Sequence, residues 1–203
     1  VLILSAADVK SVIAMEAAKP LTQARSEVAR CVDTLVYSAI EARTLAGEMV
    51  PMEGTGAGAG QLAMVLREPV GVIGAIAPFN FPLSLVAHKV GPAIAAGCPV
   101  LLKPSPQTPL SALGLAAVFD EAGLPTGMLH VLPGDVEVGS AIVTHPDVAL
   151  VSFTGSDRVG RAIQAQVPHK PVLLELGNAT PVIVAADADV ADAARRVARS
   201  GFT

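Results

Sequence analysis

From Val70 onward the chain alternates between two hydrophobic rhythms. Continuous apolar runs, 70-VGVIGAIA-77, 99-PVLLK-103, 129-LHVLP-133, 148-VALVSFT-154 and 171-PVLLEL-176, read as buried strands. Between them, amphipathic stretches near 83–96, 109–122, 136–144 and 157–166 read as helices. A further strand-like run, 181-PVIVA-185, precedes a last helix starting near Asp189. Turn chemistry falls between these segments, as in 123-GLPTG-127 and 133-PGD-135. Uniformly apolar strands separated by amphipathic helices demand an α/β fold, an open parallel sheet with helices on both faces.

The first 47 residues follow a different rhythm and read as helical. Ala24, Val28, Cys31, Val32, Leu35, Ala39 and Ala42 recur at three and four as an apolar stripe. Arg25, Glu27, Arg30, Asp33 and Glu41 fall between them, on the expected wet face. Residues 48–70 concentrate Gly and Pro and then alternate, which predicts an extended ribbon or hairpin leaving the main body. Its GTGAGAG run is not a dinucleotide fingerprint, because that fingerprint follows a strand and opens a helix, whereas this run precedes a strand. The expected organisation is a helical part at 1–47, a bridging ribbon at 48–70 and an α/β domain at 70–203.

Composition narrows the chemistry. Hydrophobic residues make up 52% of the 203, but aromatics only 3%, so the apolar mass is Ala, Val, Leu and Ile, which suits tightly packed layers. A net charge of -4 without a basic block argues against nucleic-acid binding. No apolar run reaches the roughly 18 residues of a membrane span. Cys31 and Cys98 are too few for a disulfide scaffold, so a reducing cytoplasm is the expected setting, and both read as small core residues. The histidines lack metal-ligand spacing and no metal is expected; His88 reads as structural or interfacial. The opening VLILSAADVK has no signal-peptide character and looks like the middle of a pattern, and the chain stops at 200-SGFT-203 without a cap. The expectation is a longer polypeptide in which something covers Phe202.

In open parallel sheets ligands sit outside the carboxyl ends of the strands, and every such end here carries polar chemistry. Asn80 lies in 76-IAPFNFPLS-84, where Pro78 and Pro82 stiffen the turn and a helix is expected to begin at Pro82. Its amide either aims at a ligand or bonds its own turn. Lys103 follows Val100-Leu101-Leu102 and either snorkels to solvent or binds an anionic or polyhydroxyl ligand. In 153-FTGSDRVG-160, Thr154, Gly155 and Ser156 supply a tight turn and an N-cap, a helix start suited to a phosphate. Glu175 is the unexpected residue, a carboxylate inside 171-PVLLELGNATPVIV-184. Burial there would raise its pKa and make it a general base, unless it reaches water or caps an amide at the strand end.

These residues, in this order, resemble the aldehyde dehydrogenase superfamily. The matching segments are EPVGVIGAIAPFNFPL, AIAAGCPVLLKPSPQTPLSA, EAGLPTGMLHVLPG, VALVSFTGSDRVG and LLELGNATPVIV. The resemblance implies the Rossmann-like, cofactor-binding portion of an enzyme that oxidises an aldehyde with NAD or NADP through a cysteine. It also implies Asn80 as oxyanion donor and Glu175 as general base. The implied cofactor contacts begin with Ile76, Ala77, Pro78 and Phe79 along the cleft, and Lys103, Ser105 and Pro106 at the adenosine ribose. Gly134 and Gly139 belong at the adenine, and Phe153, Thr154, Gly155 and Ser156 near the pyrophosphate. Leu176 and Gly177 lie toward the nicotinamide.

Three departures matter. Many relatives carry a glutamate where Pro106 stands, and its absence predicts tolerance of, or preference for, NADP. Asn178 replaces a glycine and is expected to take over its left-handed turn. No nucleophilic cysteine occurs in the segment, so these 203 residues alone are expected to be inactive. Two other readings are a non-catalytic nucleotide-binding remnant or scaffold and a coenzyme-A-acylating enzyme of the same fold. The partners expected are a small aldehyde and, for the full-length enzyme, further subunits in a homodimer or homotetramer joined partly by the ribbon, with no nucleic acid and no membrane.

Overall fold

A computed structural model describes residues 6–201. Two helices, α1 (Ala6–Glu16) and α2 (Leu21–Thr44), lead into an antiparallel hairpin of β1 (Glu48–Val50) and β2 (Ala63–Val65). The α/β part then runs β3 (Val72–Ile76), α3 (Ser84–Ala95), β4 (Val100–Lys103), α4 (Leu110–Glu121), β5 (Leu129–Val131), α5 (Val136–Thr144), β6 (Val148–Thr154), α6 (Asp157–Gln166), β7 (Val172–Glu175) and α7 (Val190–Gly201). The five strands β3 to β7 form one parallel sheet in the order β5-β4-β3-β6-β7. Strand order reverses between β3 and β6, which is where open sheets of this type place their ligand.

The sheet is apolar on both faces, and strand alternation decides which residue serves which face. Ile73, Ala75, Val100 and Leu102 pack with α1, α2, α3 and α4, in a core that includes Ile13, Ala24 and Cys31. Their neighbours Val72, Ile76 and Leu101 turn to the other side and pack with Val148, Val151, Phe153 and the α5 and α6 residues Ile142, Val143 and Ile163. Both Cys31 and Cys98 are buried in the first core, as expected of small apolar residues.

Several expectations give way to packing. Glu27, assigned to the wet face of α2, is 1% exposed, whereas Val32 of the expected apolar stripe is 54% exposed and Ala39 and Ala42 are exposed. The helix is rotated so that Ala24, Glu27, Cys31 and Ser38 face inward, because Glu27 finds hydrogen-bond partners that offset its desolvation. The helix expected from Pro82 begins at Ser84, with 81–83 in a turn. Residues 181–185 form no strand and are exposed; no neighbouring strand of the described sheet supplies the hydrogen bonds that would make them one. Asn178 does not adopt a left-handed turn; its Oδ1 accepts from Thr180 Oγ1 at 2.5 Å instead. Phe202 lies outside the described residues. Among the described residues no helix is long and apolar enough to cross a membrane.

Candidate active site and cofactor cleft

The carboxyl ends of β3, β4 and β6 open onto a cavity of about 420 Å³ between α5 and α6. Ile76 pairs in register with both Lys103 and Phe153, so the three side chains share the α5–α6 face and line the cavity floor. Gly139 and Val143 of α5 form one wall and Val159 and Ile163 of α6 the other, with Pro106, Asp135 and Arg158 at the lining's polar and turn positions. Lys103 is only 7% exposed, and its Nζ donates to the Pro104 carbonyl at 3.0 Å. It therefore does not snorkel. Burial lowers its pKa, and the Asp135 carboxylate opposes that shift. A Cβ on Gly139 would stand 3.3 Å from Lys103 Cδ, so the glycine gives the lysine stem room to cross α5.

At the cavity's edge Ser156 caps α6, its hydroxyl accepting from the Val159 amide at 3.4 Å. An apolar slot, a buried cation and a capped helix start suit an adenine, a ribose and a phosphate respectively. The residues present therefore fit the adenosine part of a dinucleotide. Among the described residues no cluster of His, Cys, Asp or Glu could hold a metal ion.

The opposite face of the sheet carries different chemistry. Ser152 precedes Phe153 and so points the other way, toward α3, where it accepts a hydrogen bond from Lys89 Nζ at 3.0 Å. Lys89 is 8% exposed; burial pulls its ammonium down to about 8, and the Glu175 carboxylate opposes the shift. Glu175 itself is exposed rather than buried. It ends the edge strand β7 opposite Thr154, on the same side as Leu173, which is 58% exposed because the described elements leave that side uncovered. The Glu175 carbonyl accepts from the Gly155 amide at 3.0 Å. Asn80 is exposed next to the 56% exposed Phe79, and its side chain makes no hydrogen bond among the described residues, its own turn included.

Of the residues named from sequence, Ile76, Lys103, Pro106, Gly139 and Phe153 line the cavity. Ala77 is buried in the core on the far face, and Pro78 is half-buried at the start of the Asn80 turn. Ser105 is buried and caps its own turn through Gln107 N. Gly134 is half-buried just before α5, and Leu176 packs with Leu174 against Gly160, while Gly177 is exposed. Sequence reading missed Lys89, Asp135 and Arg158. Lys89 follows the exposed His88 between the buried pairs Val86-Ala87 and Val90-Gly91, a setting in which a helical lysine reads as a wet-face residue.

The family model described as the aldehyde dehydrogenase family matches residues 2–203. A 3-sulfolactaldehyde dehydrogenase of Priestia aryabhattai is 45% identical over 94% of this chain and 40% of its own length. The NADP-dependent glyceraldehyde-3-phosphate dehydrogenase of Bacillus halodurans, solved with NADP, superposes with a TM-score of 0.91 at 36% identity, over 96% of this chain and 41% of its own. An NAD-dependent aldehyde dehydrogenase of Sinorhizobium meliloti gives 0.87 at 39%, over 94% and 38%. The chain thus spans about 40% of the length of the relatives it matches. With a switch-point cleft, a strand-end lysine and a family match over residues 2–203 in agreement, the chain belongs to the aldehyde dehydrogenase family.

Proposed function

We propose that this chain is the NAD(P)-binding and general-base portion of an enzyme that oxidises a small aldehyde to a carboxylic acid. The observation that carries the reading is the division of labour across one sheet: Ile76, Lys103 and Phe153 face the cleft, while Ser152, Lys89 and Glu175 lie on the other face. The bound nicotinamide, when present, supplies a hydride acceptor. Lys103 and the start of α6 orient the adenosine and phosphates. The nucleophile is a cysteine outside these 203 residues, because Cys31 and Cys98 are buried in the core, and burial together with Glu27 holds the Cys31 thiol up at about 11. As that sulfur adds to the aldehyde carbon, the free amide of Asn80 donates to the developing oxyanion, a contribution of about 3–4 kcal/mol. With a nicotinamide bound to accept the hydride, the product on the cysteine would be a thioester. Glu175 then takes a proton from the water that attacks it, releasing carboxylic acid and thiol.

Lys89 is the buried cation on the Glu175 side of the sheet, and the Glu175 carboxylate opposes the fall in its pKa. Pro106 lines the cleft where many relatives carry a carboxylate, so that source of repulsion against a 2′-phosphate is gone, Asp135 being the carboxylate of the lining, and NADP is accepted as well as NAD. The names of two relatives state small anionic aldehydes, and a substrate of that kind is the first to assay. The exposed β1–β2 hairpin is the element proposed to join subunits in a dimer or tetramer.

The deciding experiment is stopped-flow NAD(P)H formation by the native full-length polypeptide and its Glu175→Gln variant. The expected result is a stoichiometric burst in the variant followed by hydrolysis slowed about 100-fold or more. Undiminished steady turnover removes Glu175 as base. Turnover only with coenzyme A establishes the acylating reading instead. Absence of any burst, with cofactor binding retained, establishes the non-catalytic nucleotide-binding remnant.

A further inference from the structure

The Asn80 turn is held from outside by a residue with no evident business there. The Glu27 side chain, on α2, is fully buried. Its Oε1 accepts from the Leu83 amide at 2.9 Å and the Ser84 amide at 3.1 Å, the first free donors of α3. Its Oε2 meets Lys19 Nζ at 2.5 Å, and that ammonium lies 3.6 Å from the centroid of the Phe81 ring. Arg30, one turn along α2, lies 5.6 Å from the same ring. Helix α3 has no side-chain cap of its own, and Pro82 contributes no donor. A carboxylate from another helix therefore does the capping, favoured by the positive end of the α3 dipole.

The consequence falls on Asn80. On its N-terminal side the turn is tied to the sheet by the Ala77 amide donating to the Lys103 carbonyl at 3.1 Å. On its C-terminal side Glu27 holds the Leu83 and Ser84 amides and Lys19 lies over the Phe81 ring, in addition to the core packing of Leu83 and the Leu85 amide on the Phe81 carbonyl. Asn80 makes no hydrogen bond of its own, so its direction is inherited from those anchors. We propose that Glu27, neutralised by Lys19, is a positioning residue that sets the Asn80 amide for the oxyanion. The proposal rests on the reading of Asn80 given above. A merely structural role is separable because the molecule repeats the same device elsewhere: Glu16 of α1 accepts from Leu110 N at 2.8 Å, Ser111 N at 3.0 Å and Ser111 Oγ, capping α4, which is not attached to the Asn80 turn.

The test is a double-mutant cycle in the native full-length enzyme at saturating cofactor, with Glu27→Gln and Asn80→Ala separately and together. Glu27→Gln is expected to lower kcat about tenfold with KM for the cofactor within about twofold, and to cost less than about twofold once Asn80 is already Ala. Glu16→Gln is expected to lower kcat less than about twofold. Equal losses from Glu27→Gln in both Asn80 backgrounds, or a Glu16→Gln loss matching that of Glu27→Gln, overturn the positioning role and leave the oxyanion reading standing. An Asn80→Ala enzyme with unchanged kcat overturns the oxyanion reading, and the positioning role with it. Should Glu27→Gln fail to accumulate folded, Glu27→Asp, which keeps the charge for Lys19 but withdraws the oxygens from the two amides, enters the same cycle under the same criteria.

Discussion

Lys89 of α3 and Lys103 of β4 are the two buried lysines among the described residues, and they stand on opposite faces of the sheet. Each is stripped of water, each has its pKa lowered by that burial, and each has one carboxylate opposing the shift: Glu175 for Lys89, Asp135 for Lys103. They differ in what they face. Lys103 ends a strand and its stem runs along a cavity; its one hydrogen bond, to the adjacent Pro104 carbonyl, leaves two donors for a ligand. Lys89 sits mid-helix with its Nζ on Ser152 Oγ. On the function proposed above, the same side chain, exposed to a similar small degree, would serve a ligand on one face and a carboxylate on the other. Strand alternation alone assigns the roles, since Ser152 and Phe153 are adjacent residues that face apart.

The comparison breaks first at Lys103. Replacing it by Met removes a charge-assisted donor from the cleft, and cofactor affinity should fall about 10- to 100-fold, with Lys103→Arg recovering part of the loss. Fluorescence titration with NADPH reads it directly. A Kd within about threefold of the wild type would mean that the cleft binds its ligand without the lysine. Lys89→Met should leave the same Kd unchanged.

At Lys89 the expected effect is on stability against pH. Its pKa falls from 10.5 in the unfolded chain to about 8 in the folded one. Between those values the unfolded state holds more protons than the folded state, so this lysine makes stability rise with pH across that window. Below about 8 both states carry the charge and the folded state bears the net penalty left after Glu175 offsets part of the desolvation, on the order of 3 kcal/mol. Cys31 works the other way: its thiol is raised from 9.0 to about 11, so its contribution falls as pH rises through that range. Urea denaturation at intervals between pH 7 and 10.5 should therefore show a difference between wild type and Lys89→Met that is largest at pH 7 and shrinks upward. A difference independent of pH would remove the buried charge from the account.

The two lysines also mark how far sequence alone reaches. Lys103 was legible because a cation directly after three apolar strand residues has few explanations, and the same logic found the sheet, the order of its helices and the Ser156 cap. Lys89 was not legible, because a lysine in a helix ordinarily belongs to the wet face. Glu27 failed for the same reason. Its neighbours obey a helical period, and only tertiary partners, two α3 amides 56 and 57 residues away, make burial tolerable. Glu175 erred in the opposite direction: an apolar run predicted burial, but the run forms the sheet edge, where alternate residues lie open.

The smallest expected effect provides a control that touches neither lysine. Ala18, in the turn between α1 and α2, is the one non-glycine residue with positive φ among those described, at 50°. An alanine there costs about 1–2 kcal/mol from Cβ crowding. Glycine removes that strain but loses about 0.5–1 kcal/mol more chain entropy on folding. Ala18→Gly should therefore stabilise the protein by about 0.5–1 kcal/mol, read as a higher urea midpoint at unchanged slope. Lys19 follows immediately, and its bond to Glu27 should survive, since the backbone conformation is the one glycine adopts most readily. If the gain appears while cofactor affinity and the pH profile stay fixed, the signatures assigned to Lys103 and Lys89 are local. If the pH profile moves with the midpoint, the profile was reporting global stability, and the electrostatic role of Lys89 loses its support.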